Sequence, residues 1–174
     1  MLPTFFSDKI VSESARKNEM LWGECISGAL LWSELGELCE EYGLSDPLLV
    51  EASPITIKPE LKALLGSCQF TSVTYRIFKP PTLSTGKKHA VTYLGGINEL
   101  PDQFLLSSDF IFKTGKSVNV PVAMSDDLIT SRYSKSLKFD AASCVPRSRK
   151  PLNPFSADVK LKNSADCCPS TGCC

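Results

Sequence analysis

The sequence predicts an α+β fold, with helices and strands mixed in its first half and mainly strands in its second. Residues 20–80 combine one clear helical period with two strand-like segments, and residues 87–140 contain several short strand patterns joined by turns. Hydrophobic residues make up 43% of the 174 residues, which is enough to bury a core. Residues 141–174 are rich in Ser, Pro, Lys and Asp and poor in large apolar residues, so we expect a flexible tail there.

The first 19 residues are mostly polar and carry two short patterns. Residues 2–6 look like a strand, although no partner strand lies nearby in the sequence. Residues 12–17 predict a short helix, because Ser12 can cap its first turn and Glu13 places a carboxylate there.

The clearest helix is predicted over residues 32–42. Its apolar stripe repeats at helical spacing and consists of Leu35, Leu38, Cys39 and Tyr42. Glu34 lies in the first turn, and Gly43 suits the left-handed conformation that ends many helices.

Two strands and a second helix follow. Residues 48–57 predict a strand in which Pro54 marks an edge or a bulge, because proline cannot donate to a central sheet. Residues 59–65 predict a short helix ended by Gly66, and residues 70–79 predict a strand rich in β-branched and aromatic residues.

Residues 80–86 break the pattern with prolines, serine and glycine, and they are predicted to form a linker. Beyond it, strands are predicted at residues 89–94, 103–113 and 117–122. The segment 114–116 is expected to turn the chain between the last two strands. Residues 125–133 predict a helix with Asp126 and Asp127 at its start, and residues 137–139 a last strand.

The charge balance and the apolar runs exclude several classes of protein. Nineteen basic and nineteen acidic residues give no net charge, so we expect no nucleic-acid or anionic membrane partner. No apolar run approaches the roughly 20 residues that cross a bilayer, and the first residues lack the pattern of a signal peptide. We therefore expect a soluble, cytoplasmic, monomeric protein whose eight cysteines are reduced.

Several partial motifs are better explained by ordinary structure. Residues 114–117 read Thr-Gly-Lys-Ser, but a phosphate-binding loop would need glycine where Phe110 stands, so a hairpin turn is favoured. Gly95 and Gly96 lack the spacing of a dinucleotide-binding loop. The sole histidine, His89, is expected at the surface, and one histidine leaves little room for a catalytic triad or a zinc site.

The cysteines carry the chemical signal. Cys39 lies on the apolar stripe of its helix and is expected to be a small buried hydrophobe. Cys68 precedes a strand, and structural and chemical roles stay equally open for it. Cys25 lies between Gly23 and Gly28, and we expect a helix to follow it whose N-terminus would favour a thiolate.

Two adjacent cysteine pairs close the chain, Cys167-Cys168 and Cys173-Cys174, with a Pro-Ser-Thr-Gly spacer between them. Adjacent thiols on a flexible segment can bind soft ions, and we prefer that interpretation to an oxidisable tail. The spacing differs from that of a compact four-thiolate zinc site. Cys144 falls in the same tail and is uninformative.

Several motifs occur in one order along nearly the whole chain: Leu21-Trp22-Gly23-Glu24-Cys25, Ser53-Pro54-Ile55-Thr56-Ile57, Gly66-Ser67-Cys68-Gln69-Phe70, Thr74-Tyr75-Arg76-Ile77-Phe78-Lys79, Tyr93-Leu94-Gly95-Gly96-Ile97, Ser131-Arg132-Tyr133 and the terminal Gly-Cys-Cys. With this ordered set the sequence resembles the arsenite methyltransferase family. The resemblance implies an S-adenosylmethionine-dependent methyltransferase acting on trivalent arsenicals, with glutathione or thioredoxin as reductant.

The resemblance also implies a division of the chain. Residues 1–19 would be the end of a methyltransferase domain, residues 20–80 an arsenite-binding domain, residues 87–140 a β-rich C-terminal domain and residues 141–174 the tail. The glycine-rich cofactor loop of the family is not found in these residues, so we expect no cofactor-binding residues and no methyl transfer by this piece on its own.

The resemblance assigns roles to four residues, three in the first motif and one in the motif at residues 66–70. Cys25 matches an arsenic-ligating cysteine, with Trp22 and Glu24 beside it in the substrate site, and Cys68 matches a cysteine used in thiol–disulfide exchange. Leu31 stands where the family often has tyrosine. The alternative is a stand-alone module that binds arsenic or another soft ion through its terminal cysteine pairs, and a weaker one is a decayed gene product.

Overall fold

The computed structural model describes residues 4–84, 89–142, 146 and 151–156. Nine strands, five α-helices and a 3-10 turn at Ser134–Ser136 lie within these residues. Their order is β1 (Thr4–Ser7), α1 (Glu13–Arg16), α2 (Glu19–Gly23), β2 (Leu30–Leu31), α3 (Glu34–Glu41), β3 (Leu48–Pro54), α4 (Pro59–Leu65), β4 (Phe70–Arg76), β5 (Ala90–Tyr93), β6 (Gln103–Ser107), β7 (Phe110–Lys113), β8 (Ser117–Asn119), α5 (Val122–Thr130) and β9 (Leu137–Asp140). This mixture confirms the predicted α+β class.

The first half forms a four-stranded sheet in the order β2-β1-β4-β3. Strand β1 runs parallel to β2, with Phe6 opposite Leu30, and antiparallel to β4, with Thr4 opposite Val73. The strand predicted near the start of the chain therefore has partners on both sides, and the antiparallel partner comes from a distant part of the sequence.

Local sequence signals set most boundaries in this half. Ser12 accepts a hydrogen bond from the Ala15 amide and caps α1, as predicted. Helix α3 begins two residues later than predicted, and Gly43 ends it at a φ of 61°. Helix α4 has the predicted bounds. Strand β3 lies at the sheet edge and carries a bulge, in keeping with Pro54 at its end.

The second half contains a three-stranded sheet, β8-β5-β9, and a separate hairpin of β6 and β7. The single strand predicted over residues 103–113 is wrong, because the chain turns at Ser108 and Asp109 and the two arms pair with each other. The predicted turn before β8 is present, with the Lys116 amide donating to the Lys113 carbonyl, but β7 and β8 belong to different sheets.

Two sequence expectations in this half need correction. Helix α5 begins at Val122 rather than at Ser125, so Asp126 and Asp127 lie in its middle and not at its start. The N-cap is Pro121, whose fixed φ suits entry into a helix although it has no capping side chain. His89 is 7% exposed rather than at the surface, because the chain leads from it directly into the core strand β5.

Arg76 joins the two halves at the end of β4. Its Nη1 donates to the carbonyls of Leu105 and Leu106, the latter at 2.7 Å. Its guanidinium carbon lies 5.0 Å from the centroid of the Phe104 ring and 5.6 Å from that of Tyr133. These rings belong to or pack against the core of the second half, so one side chain of the first sheet is inserted among the aromatic residues of the other unit.

No helix within the described ranges has both the length and the apolar character needed to cross a bilayer.

Candidate functional site

Helix α2 ends in a backbone motif that fixes the position of Cys25. Asn18 caps the helix at its start, where its Oδ1 accepts a hydrogen bond from the Leu21 amide at 3.1 Å. At its other end the Cys25 amide donates to the Trp22 carbonyl at 3.0 Å, and the Ile26 amide donates to the Leu21 carbonyl at 3.0 Å. This pair of crossed bonds is the Schellman motif, which satisfies carbonyls that a helix end leaves without partners.

Cys25 occupies the position of that motif where glycine is usual. Its φ is 60°, in the left-handed region, and Glu99 is the other non-glycine residue with positive φ in the described part of the chain. A side chain in this conformation crowds the backbone and costs about 1–2 kcal/mol. The motif persists because Leu21 and Ile26, on either side of Cys25, are buried together in one hydrophobic cluster.

The Cys25 side chain is exposed and its thiol is free. The nearby Trp22 side chain is 73% exposed, which is unusual for so large an apolar group. Gly23 and Gly28 both face open space, so nothing in the described structure blocks approach to the thiol from these sides.

Glu24 is held by a residue that the sequence did not single out. Lys58, the residue before α4, places its Nζ 2.9 Å from Glu24 Oε1, and the hydrogen bond to Glu24 raises the pKa of Lys58. Both side chains are exposed, so this ion pair contributes little to stability. Its effect is to tie the end of α2 to the start of α4, a contact between distant residues that no sequence pattern indicates.

The structure corrects the expectation of a helix N-terminus beside Cys25. The cysteine follows α2 instead of preceding a helix, and the next helix, α3, starts only at Glu34. Cys25 therefore stands at the carbonyl end of α2, where the free N–H groups of a helix N-terminus are not presented. Activation of the thiol by a helix dipole, as expected from the sequence, is not available in this arrangement.

Cys68 lies in the turn between α4 and β4, where it is partly buried. Its Sγ donates to the Lys9 carbonyl at 3.5 Å. Burial raises the pKa of the Cys68 thiol, the hydrogen bond to Lys9 lowers it, and the neighbouring Asp8 carboxylate raises it further, so that the net direction is upward. Near neutral pH this cysteine is therefore a protonated thiol, and Asp8 is a modulating residue that the sequence analysis did not identify.

Cys25 and Cys68 both lie at the edge of one hydrophobic cluster. Leu21 and Ile26, which flank Cys25, belong to the hydrophobic cluster against which Cys68 packs. Neither thiol forms a disulfide. Among the described residues no three His, Cys, Asp or Glu side chains converge as they would around a metal ion.

The remaining cysteines divide into two groups. Cys39 is 2% exposed on α3, and burial and then Asp46 raise the pKa of its thiol, which confirms the prediction of a structural residue. Cys144, Cys167, Cys168, Cys173 and Cys174 lie outside the described residues.

Comparison with known proteins gives a consistent result. The profile of the arsenite methyltransferase C-terminal domain matches residues 86–174. Arsenite methyltransferase of Rattus norvegicus is 34% identical over 182 aligned residues, covering 98% of this chain and 49% of the rat protein. The Homo sapiens arsenite methyltransferase is 38% identical over 136 residues, covering 75% of this chain and 36% of the human protein.

A solved structure is also similar to this chain. The crystal structure of CrArsM, an arsenic (III) S-adenosylmethionine methyltransferase from Chlamydomonas reinhardtii, superposes with a TM-score of 0.70 at 26% identity, covering 82% of this chain and 49% of that one. The chain thus spans about half the length of the rat and the algal proteins.

Proposed function

The chain belongs to the arsenite methyltransferase family, and from this membership we propose that it binds trivalent arsenic through the Cys25 thiol as the arsenic-binding and C-terminal part of such an enzyme. The single observation that carries the proposal is the conformation of Cys25. An exposed thiol stands at a left-handed position where glycine would be more stable. Strain of this kind at an exposed reactive group is typical of functional sites.

The chemistry at Cys25 is exchange of an oxygen ligand for sulfur. An As–O bond of arsenious acid breaks and an As–S bond forms, while the thiol proton leaves with the hydroxyl group as water. Trivalent arsenic resembles the soft ions that thiolate ligands select. The Schellman motif fixes the backbone of Cys25 between Leu21 and Ile26, which are anchored in a buried cluster, while the Cys25 thiol stays accessible.

Trp22 and Glu24 are proposed to form the sides of the substrate site. The Trp22 ring is exposed next to Cys25, and Glu24 is restrained by Lys58 at the end of the same helix. We propose Cys68 as a thiol for disulfide exchange. When two thiols reduce a pentavalent arsenical, they give up two electrons and form one disulfide, and their protons leave with the arsenic-bound oxygen as water. Glutathione or thioredoxin would return the disulfide to thiols.

The described residues do not fit S-adenosylmethionine, the methyl donor named for the algal relative. Within these residues four connections lead from a strand into a helix, at residues 8–12, 32–33, 55–58 and 120–121. None of them contains glycine, so none can form the glycine-rich turn that admits a nucleotide to a helix N-terminus. We therefore expect these 174 residues by themselves to bind trivalent arsenicals without transferring a methyl group.

The test is a titration of the reduced protein with phenylarsine oxide, followed by tryptophan fluorescence and by intact-mass analysis. A background variant carries serine at the five cysteines outside the described residues, so that Cys25, Cys39 and Cys68 remain. In this background we expect Cys25→Ser to abolish the arsenical adduct and Cys39→Ala, the matched control, to retain it. Equal binding by Cys25→Ser would refute the assignment.

The same titration separates the alternative of a stand-alone soft-ion module. If the terminal cysteine pairs are the binding site, the background variant itself loses binding while Cys25→Ser in the otherwise unchanged chain keeps it. If Cys25 is the site, the results are reversed.

A further inference from the structure

A cavity of about 370 Å³ lies where the two halves of the protein meet. Its walls come from the segment before β3, the linker after β4, the turn of the β6–β7 hairpin, the first turns of α5 and residues 151–152. Buried apolar residues such as Pro47, Pro121 and Met124 line it. Its volume falls within the range of small-molecule sites, which are mostly apolar with a few placed polar groups.

The charged residues that line this cavity are all aspartates in the described part of the chain: Asp46, Asp109, Asp126 and Asp127. Asp126 and Asp127 are each 6% exposed. Asp126 accepts a hydrogen bond from Ser84 Oγ at 2.5 Å, and both it and Asp109 have further interactions.

Asp127 differs from these neighbours. Of all the described residues, none donates a hydrogen bond to its carboxylate, although the residue is only 6% exposed. Burial, and then the charges of Asp126 and Asp46, raise the pKa of Asp127 to about 6. Its carboxylate oxygens open onto the cavity, since neither belongs to the fully enclosed unpartnered atoms of the described residues. A cation there would offset the repulsion from Asp126 and Asp46 and the partial loss of solvation.

We propose that this cavity binds a small organic cation, an ammonium group on a compact apolar body, with Asp127 as its anionic partner. An inorganic ion fits less well, because no three Asp, Glu, His or Cys side chains of the described residues converge to coordinate one. The apolar walls around Met124 and the prolines provide contact surface that only an organic body can use.

The site is separate from the thiol chemistry. None of Cys25, Cys68 and Trp22 lines the cavity. Its walls instead combine both halves of the chain, so a bound cation would contact the segment before β3 and helix α5 at the same time. Failure of arsenical binding at Cys25 would leave this proposal unaffected, and the reverse also holds.

The experiment uses the full chain labelled with ¹³C at its methionine methyl groups, which gives only three signals. Met124 lines the cavity, whereas Met20 is 63% exposed on α2 and serves as an internal control. The probes are butylamine, cyclohexylamine and phenethylamine, each compared with the neutral alcohol of the same skeleton.

We expect at least one amine to shift the Met124 signal saturably, with a Kd on the order of 1 mM or tighter, while its alcohol does not. Loss of a charge-assisted contact corresponds to roughly tenfold or more in Kd, so Asp127→Asn should weaken binding by about that factor. Asp102→Asn, at an exposed site outside the cavity, should leave it unchanged.

The amine should also bind more weakly at pH 5 than at pH 8, because Asp127 is protonated at the lower pH. The other carboxyl groups that face the cavity are those of Asp46, Asp109 and Asp126. The ammonium group of an aliphatic amine stays charged between pH 5 and pH 8. The proposal is overturned if no amine shifts Met124, if amine and alcohol bind equally, if Asp127→Asn binds as tightly as the parent, or if Mg²⁺ produces the same shift in place of the amine.

Discussion

Replacing Cys25 with glycine should remove the thiol and at the same time stabilise the fold. The residue has a φ of 60° at the end of α2, and its amide is held by the Trp22 carbonyl. Glycine adopts this conformation without crowding, whereas a residue with a Cβ is less stable in it. Cys25→Ser also removes the thiol but leaves the backbone conformation unfavourable, so the two variants separate chemistry from stability.

The difference in stability between Cys25→Gly and Cys25→Ser follows from two opposing effects. Relief of the left-handed conformation contributes about 1–2 kcal/mol. Glycine makes the unfolded chain more flexible, which offsets about 0.4–1 kcal/mol of that gain. We expect Cys25→Gly to be more stable than Cys25→Ser by about 0.5–1 kcal/mol, or roughly 1–4 °C in melting temperature for a chain of this size.

Urea denaturation under reducing conditions measures the difference, with circular dichroism as the signal. The matched control is Glu24→Gly, because Glu24 has an ordinary φ of −86° and glycine there should destabilise by about 0.5–1 kcal/mol. A Cys25→Gly protein less stable than Cys25→Ser would show that the left-handed conformation costs nothing here. The argument that links this strain to function would then fail.

Three further predictions concern reactivity, packing and pH. Iodoacetamide near neutral pH should modify Cys25 fastest, Cys68 more slowly and Cys39 last, as followed by peptide mass spectrometry, and Asp8→Asn should accelerate only Cys68 because that carboxylate raises its pKa. Arg76→Ala should destabilise the fold by about 2–4 kcal/mol in urea denaturation, because two carbonyls lose a charged donor and two rings lose a cationic neighbour. The exposed control is Lys113→Ala. An equally small loss of stability in both variants would contradict the role of Arg76 in joining the two halves. The raised pKa of Asp127, about 6, means that the folded state holds a proton between about pH 4 and 6 that the unfolded chain has released. The protonated carboxyl of Asp127 therefore favours folding below that window, and this stability is lost as the pH rises through it. Asp127→Asn should stabilise the protein by about 1–2 kcal/mol at pH 8 and by little at pH 4. A difference in stability that stays constant from pH 4 to pH 8 would contradict the raised pKa.

Short-range signals predicted the helices of the first half well. The Ser12 cap, the stop at Gly43 and the stop at Gly66 act within one turn of the chain, so the bounds of α1, α3 and α4 came out close to those observed. The same local reasoning failed at α5, where Pro121 begins the helix without a capping side chain and the aspartates suggested a later start.

The hairpin and the buried histidine show where local signals run out. The turn at Ser108 and Asp109 contains neither glycine nor proline, so the apolar residues on both sides looked like one continuous strand. His89 follows two lysines in the sequence, yet its strand β5 is central in its sheet, between β8 and β9. Burial there depends on strands that come later in the chain.

By itself the sequence determined the fold class, the family and the candidate thiols, because ordered motifs and residue identities do not depend on how the chain is arranged in space. It did not determine that Cys25 follows a helix in a glycine-like conformation, because the glycine of that helix end, Gly23, lies two residues before the left-handed position. The buried cluster that contains Leu21 and Ile26 decides the backbone there. Nor did it indicate the cavity around Asp127, whose walls come from segments that only the packing of the two halves brings together.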